Sequence, residues 1–265
     1  MPRTDRRQER EHVAMADDAT RGSTRTGAPV RVFGDVPGAR GWLVWAHGGS
    51  WRSGSVAEWA SALDDLARTG SVRVVGVDYR LAPQHPYPAA LLDVLSALEW
   101  AQERADQGEP VSVGGDSAGA TLAASAAVVR RDRQQPLAAQ VLAYPPLDPH
   151  CRAASYTNPA LVGPSRTDLL DAWQTYQGSA PPDPALPLTP YEKTDLSRLA
   201  PAVVAVGLLD PVLDDVRGYA RRLLGAGCDV DLRQLPDTGH GVLHTDAELR
   251  EWLGEALKEA TGTGR

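Results

Sequence analysis

The chain predicts an α/β protein, a mostly parallel central sheet with helices on both faces. Three observations point there. From Val30 onward, short apolar runs alternate with longer segments of helical character. Runs such as Val74-Val75-Gly76-Val77 and Val203-Val204-Ala205-Val206 are apolar throughout, as strands covered on both sides are. At 265 residues and 42% hydrophobic content, the chain has the size and composition of one such domain with a full core.

Taken in order, residues 1–28 are polar and broken by Gly, Ser and Thr, which reads as a flexible N-terminal segment with one short helix around Arg6 to Met15. Residues 29–265 form a single domain. Its strands are expected at 30–33, 42–46, 72–77, 111–114, 139–144, 202–208 and 229–234, and its helices at 56–68, 88–106, 118–131, 167–177, 213–226 and 246–260. Gly41 to Ala46 and Pro201 to Leu209 are apolar strands, Val111 to Gly114 is a short buried one, and Val230 to Leu235 alternates. The stretch from about 150 to 199 breaks the rhythm: it is Pro-rich, with one credible helix, and reads as a small cap over the carboxyl edge of the sheet.

Gly115-Asp116-Ser117-Ala118-Gly119 lies where a strand gives way to a helix. Small residues on both sides of a serine allow a turn sharp enough to push its hydroxyl out, facing the N-terminal N–H groups of the next helix. A Gly/Ser-rich turn is the plainer reading of the pentapeptide alone. Three other segments shift the balance. His47-Gly48-Gly49-Ser50-Trp51 follows an apolar strand, and glycines there expose backbone N–H groups that can serve an oxyanion together with the N–H of Ala118. Asp210 ends another strand, where a carboxylate can orient a histidine, whereas Asp214 and Asp215 suit the first turn of the following helix. His240 sits on a loop after the last strand, with His244 as its rival. A metal site at His240 and His244 is a poor reading, because no third ligand lies nearby. Ser117, then Asp210, then His240 is the order expected of the α/β-hydrolase arrangement.

With His47-Gly48-Gly49, Val77-Asp78-Tyr79-Arg80-Leu81-Ala82-Pro83, Tyr87-Pro88 with Asp93, the GDSAG pentapeptide, Tyr144 to Pro149, Asp210-Pro211 and Gly239-His240-Gly241, the chain resembles the hormone-sensitive-lipase-like carboxylesterases of the α/β-hydrolase fold. The resemblance implies Ser117 as nucleophile, His240 as general base and acid, and Asp210 as its orienter. It implies an oxyanion hole from N–H groups of Gly49, Ser50 and Ala118, with Gly48 shaping the loop and His47 tying it down. Ser50 stands where the family usually has a third glycine; the backbone donor survives, and the side chain narrows the acyl site. Trp51, Trp173 and Tyr176 are the expected substrate-binding residues; for Trp173 and Tyr176, packing of the cap onto the core is at least as good a reading.

The expected reaction is two-step hydrolysis of small to medium carboxylic esters, with no cofactor and no metal. The same fold and residues also suit an acyltransferase, an amidase, or a lyase or cyclase, and more distantly a ligand-binding receptor without catalysis. Net charge is −7 with no basic stripe, which speaks against nucleic acid. No apolar run reaches membrane-spanning length, the first residues lack the apolar core of a secretory signal, and Cys151 and Cys228 form no disulfide framework; the expectation is a cytoplasmic enzyme with no membrane contact. A homodimer through residues 246–260 and 229–234 is a further expectation.

Overall fold

The valine-rich runs extend and pair because β-branched side chains fill a pleated surface covered on both sides. In the computed structural model, which describes residues 21–35, 38–179, 181 and 183–262, they build one eight-stranded sheet. Its strands are β1 (Arg21–Ser23), β2 (Pro29–Phe33), β3 (Trp42–Ala46), β4 (Arg73–Val77), β5 (Val111–Asp116), β6 (Gln140–Ala143), β7 (Ala202–Gly207) and β8 (Val230–Leu235). The spatial order is β1-β2-β4-β3-β5-β6-β7-β8. β2 runs antiparallel to β1 and β4, and every pair from β4 to β8 is parallel. β3, β5, β6 and β7 are buried along their whole length. Each Val or Leu side chain taken fully out of water there contributes about 1.5–3 kcal/mol.

The described helices are α1 (Val56–Gly70), α2 (Ala89–Gln102), α3 (Ala118–Asp132), α4 (Arg166–Gln177), α5 (Leu213–Gly225) and α6 (Ala247–Thr261), and they cover both faces of the sheet. Ser55 caps α1, Asp246 caps α6, and Ser165 with Asp168 forms a reciprocal capping box on α4. α1 and α6 cross closely: a Cβ at Gly254 would come within 2.1 Å of Thr69 Oγ1. Arg250 of α6 bonds Asp65 of α1 at 2.9 Å.

Three boundaries differ from the sequence expectation. Arg21–Ser23 lies inside the segment read as flexible, yet it pairs with β2, with Gly22 opposite Val30. The Trp100 ring packs against Gly22, which explains why a polar tripeptide docks. The short helix around Arg6 to Met15 lies outside the described residues. The helix expected to reach 106 stops at Gln102, because the Glu109 carboxylate takes the Asp106 N–H at 3.0 Å and Gly108 turns the chain with φ +83°. β5 runs two residues beyond Gly114, with Asp116 still laddered opposite Ala143, so the turn begins at Ser117 itself.

Residues 150–199 carry α4 and two short 3-10 turns, Ala154–Thr157 and Pro190–Glu192. The segment is tied to the loop after β6 and to α5. Thr189 Oγ1 donates to the Leu147 carbonyl at 2.7 Å, and Tyr191 OH to the Asp215 carbonyl at 2.6 Å. Among the described residues, no helix is long and apolar enough to cross a membrane.

Candidate active site

The end of β5 carries the sharpest turn of the site. Ser117 adopts φ 50° and ψ −121°, a conformation sparsely populated for a residue with a side chain. Its N–H donates to the Ala143 carbonyl at 2.9 Å, which fixes the turn against β6. The flanking glycines have steric reasons. A Cβ at Gly119 would fall 2.0 Å from the Ala46 carbonyl oxygen, and one at Gly115 would fall 2.4 Å from the Gly119 carbonyl carbon. α3 therefore starts against β3 and β5 at a distance only glycine allows.

His240 comes from the loop after β8. Ser117 Oγ lies 2.8 Å from its Nε2, and Asp210 Oδ2 lies 2.8 Å from its Nδ1, with Oδ1 at 3.0 Å. Asp210 is fully buried in the turn just beyond β7, where its Oδ1 also accepts the Val212 N–H at 2.9 Å. A carboxylate there can accept a hydrogen bond from Nδ1–H, the tautomer that leaves Nε2 as an acceptor for the Ser117 hydroxyl. Residues 93 and 30 positions apart in sequence meet because β5, β7 and β8 deliver their ends to one edge.

The rivals serve elsewhere. Asp215 Oδ2 accepts the N–H groups of Leu147 and Asp148, both at 2.7 Å, and the Tyr156 hydroxyl. Asp214 accepts the Ser155 N–H at 3.0 Å. Both pin the segment after β6 and neither bonds His240. His244 packs edge-on against Trp59 at 4.3 Å, and burial holds its imidazole below the ordinary value.

The loop after β3 rises into the left-handed region at three successive residues, Gly49 (φ 114°), Ser50 (φ 56°) and Trp51 (φ 59°). Gly49 can be nothing larger, since a Cβ would sit 2.1 Å from the Ser53 carbonyl oxygen. The N–H groups of Gly49, Ser50 and Ala118 have no acceptor among the described residues. The Gly48 N–H differs: it donates to Asp116 Oδ1 at 3.2 Å, which makes Gly48 an anchor of the loop. His47 is buried, with Nδ1 2.6 Å from the Gly48 carbonyl and its ring stacked on Tyr79 at 4.3 Å. Tyr79 OH donates to the His47 carbonyl at 2.8 Å, so the histidine is a strut beneath the loop.

Trp51, Trp173 and Tyr176 form one stack joining this loop to α4. Ring centroids lie 4.4 Å apart for Trp51 and Trp173 and 4.6 Å apart for Trp51 and Tyr176. Each is about 1% exposed, and the indole N–H groups and the phenol have no hydrogen-bond partner among the described residues. Arg52 adds an ion pair to Asp171 of α4.

Three contributors escape sequence reasoning. The Tyr144 ring meets His240 edge-on at 4.9 Å while its hydroxyl takes the Leu243 N–H at 2.9 Å. The Val162 carbonyl accepts the His240 N–H at 2.8 Å. Asp116 is a buried carboxylate beside Ser117; the pentapeptide contains it, but no local signal discloses its partners.

Residues 43–244 match the family described as having the alpha/beta hydrolase fold. The chain is 36% identical over 222 residues to the carboxylic ester hydrolase LipN of Mycobacterium tuberculosis, covering 78% of this chain and 58% of LipN. It is 36% identical over 255 residues to the carboxylesterase NlhH of the same species, covering 90% of this chain and 77% of NlhH. A crystal structure of an esterase from the bacterial hormone-sensitive lipase family superimposes with TM-score 0.81 at 31% identity, over 91% of this chain and 84% of that one. The protein belongs to the α/β-hydrolase family, within its hormone-sensitive-lipase-like branch of carboxylesterases.

Proposed function

We propose that this protein hydrolyses small to medium carboxylic esters through an acyl-enzyme on Ser117. The observation that carries the reading is the unbroken chain from Ser117 Oγ to His240 Nε2 and from His240 Nδ1 to Asp210, each link 2.8 Å at its shortest, beside three unengaged backbone donors. His240 takes the hydroxyl proton as Ser117 attacks the ester carbonyl. The buried Asp210 carboxylate stabilises the imidazolium that forms. The N–H groups of Gly49, Ser50 and Ala118 bind the developing oxyanion, and each such donor is worth on the order of 3 kcal/mol. His240 returns the proton to the leaving alcohol, and water activated by the same imidazole clears the acyl group.

The Trp51, Trp173 and Tyr176 stack is buried where the loop after β3 meets α4, so it would brace that loop against α4, and its rings offer almost no surface to an acyl group. The names of LipN and NlhH, carboxylic ester hydrolase and carboxylesterase, support the reaction class. The test is hydrolysis of p-nitrophenyl esters of increasing acyl length. Activity is expected on short chains and is expected to vanish in Ser117→Ala; a folded Ser117→Ala protein with wild-type turnover would remove the nucleophile. Release of acid and alcohol in equal amounts separates hydrolysis from acyl transfer.

A further inference from the structure

Asp116 lies directly before Ser117, 3% exposed, and no basic side chain pairs with it among the described residues. Three N–H groups from three parts of the chain converge on one of its oxygens. Oδ1 accepts from Trp59 Nε1 of α1 at 2.8 Å, from Trp45 Nε1 of β3 at 3.2 Å and from the Gly48 N–H of the loop at 3.2 Å. The other oxygen lies against the same glycine: a Cβ at Gly48 would come within 2.6 Å of Oδ2. Carboxyl and loop are thus fitted face to face. Gly48 is engaged by this bond, while the next two N–H groups, those of Gly49 and Ser50, have no acceptor among the described residues.

We infer that Asp116 is a positioning residue: through Gly48 it sets the loop so that the Gly49 and Ser50 N–H groups meet the oxyanion, and it holds the loop more firmly when ionised. This rests on the reading of Ser117 as nucleophile. Hydrogen bonds to a charged acceptor are roughly twice as strong as those to a neutral one. Burial pushes the Asp116 carboxyl up to about 7, against the opposing pull of the Trp45, Trp59 and Gly48 donors, so both forms exist near neutral pH. The titratable groups around it are His240, Tyr79 and Tyr144, with His47 in ring contact with Trp59 and Tyr79, and His244 on the edge of Trp59. Asp78 and Glu58 act in turn on His47, and Arg250 on His244. Of these, a protonated His240 favours the ionised form of Asp116.

The test is steady-state hydrolysis of p-nitrophenyl acetate from about pH 5 to 9 by the wild type, Asp116→Asn, Asp116→Ala and Ser117→Ala. Asparagine keeps an acceptor oxygen for the three donors but never ionises. Its kcat is expected to fall about 5–10-fold at alkaline pH and to converge on the wild type at acid pH, with KM unchanged. Alanine is expected below asparagine throughout, about 10–100-fold under the wild type in kcat, because the oxyanion loop acts on the transition state. A constant ratio of asparagine variant to wild type across pH, or wild-type kcat in a folded alanine variant, overturns the inference. If alanine does not fold, the asparagine profile decides alone. An inactive Ser117→Ala in the same assay leaves the nucleophile standing whatever Asp116 does; an active one takes down both readings.

Discussion

The backbone N–H of His240 donates to the carbonyl of Val162 at 2.8 Å, so the imidazole loop is held by the irregular segment lying over it as well as by β8. Val162 in turn donates its N–H to the Leu209 carbonyl at 2.7 Å, one residue before Asp210. The position of the imidazole relative to its carboxylate is therefore set by a third strand of chain that carries neither.

Gly163 is where this brace is most exposed to mutation. A Cβ there would lie 2.7 Å from His240 Cβ and 3.0 Å from Pro211 Cδ. Gly163→Ala is expected to displace the imidazole and lower kcat about 100-fold, the scale of a 1 Å misplacement. Thermal unfolding is expected to show only a modest loss, about 1–3 kcal/mol. Steady-state kinetics beside a melting curve checks both; wild-type kcat would show that the loop absorbs the methyl group.

Asp210 and Asp215 separate chemistry from scaffolding. Asp210→Asn keeps the volume but offers His240 an amide, which favours the wrong tautomer, and kcat is expected to drop about 10⁴-fold in a folded protein. Asp215→Ala leaves the Leu147 and Asp148 N–H groups and the Tyr156 hydroxyl without their acceptor. It is expected to cost several kcal/mol of stability, at about 1–3 kcal/mol per orphaned donor. Denaturant unfolding and kcat on both variants discriminate the two roles.

Gly119→Ala is expected to be the more damaging of the two pentapeptide glycine changes, because its methyl group would come 2.0 Å from the Ala46 carbonyl oxygen of β3, whereas one at Gly115 would come no closer than 2.4 Å to the backbone of Gly119. Backbone of a central strand cannot give way by that amount. The expected result is little soluble folded protein, read by circular dichroism and expression yield.

Asp116 also gives stability a pH signature. Its carboxyl is raised in the folded state from the ordinary 3.8 to about 7, so the folded protein binds this proton more tightly than the unfolded chain. Stability from this group is therefore full below about pH 4 and is lost as pH rises to about 7, by up to about 1.4 kcal/mol per pH unit. Asp116→Asn lacks this term. Urea unfolding between about pH 5 and 8 is expected to show a wild-type stability that falls relative to the variant as pH rises; a flat difference would contradict the raised carboxyl.

Ser117, Asp210 and His240 were legible in the sequence because each follows an expected strand, apolar before the first two and alternating before His240, and a parallel sheet brings such strand ends to one edge. Asp210 outranks Asp215 by the same logic: it lies in the short turn just beyond β7, while Asp215 lies inside the first turn of α5. What the sequence hides is contact across distance. Arg21–Ser23 carries no apolar pattern and becomes a strand only because β2 offers it an edge and Trp100 a surface. The binding of Gly48 by Asp116 spans 68 positions and the ring contact of Trp51 with Tyr176 spans the gap to α4, so no local periodicity announces either.

Arg250, near the start of the last described helix, donates to the Leu243 carbonyl at 2.6 Å and to Asp65 at 2.9 Å, fastening the turn just beyond His240 to α1. On a ribosome, Ser117 and the loop after β3 emerge long before that arginine, so the turn beyond His240 is fastened only once α6 has closed on α1.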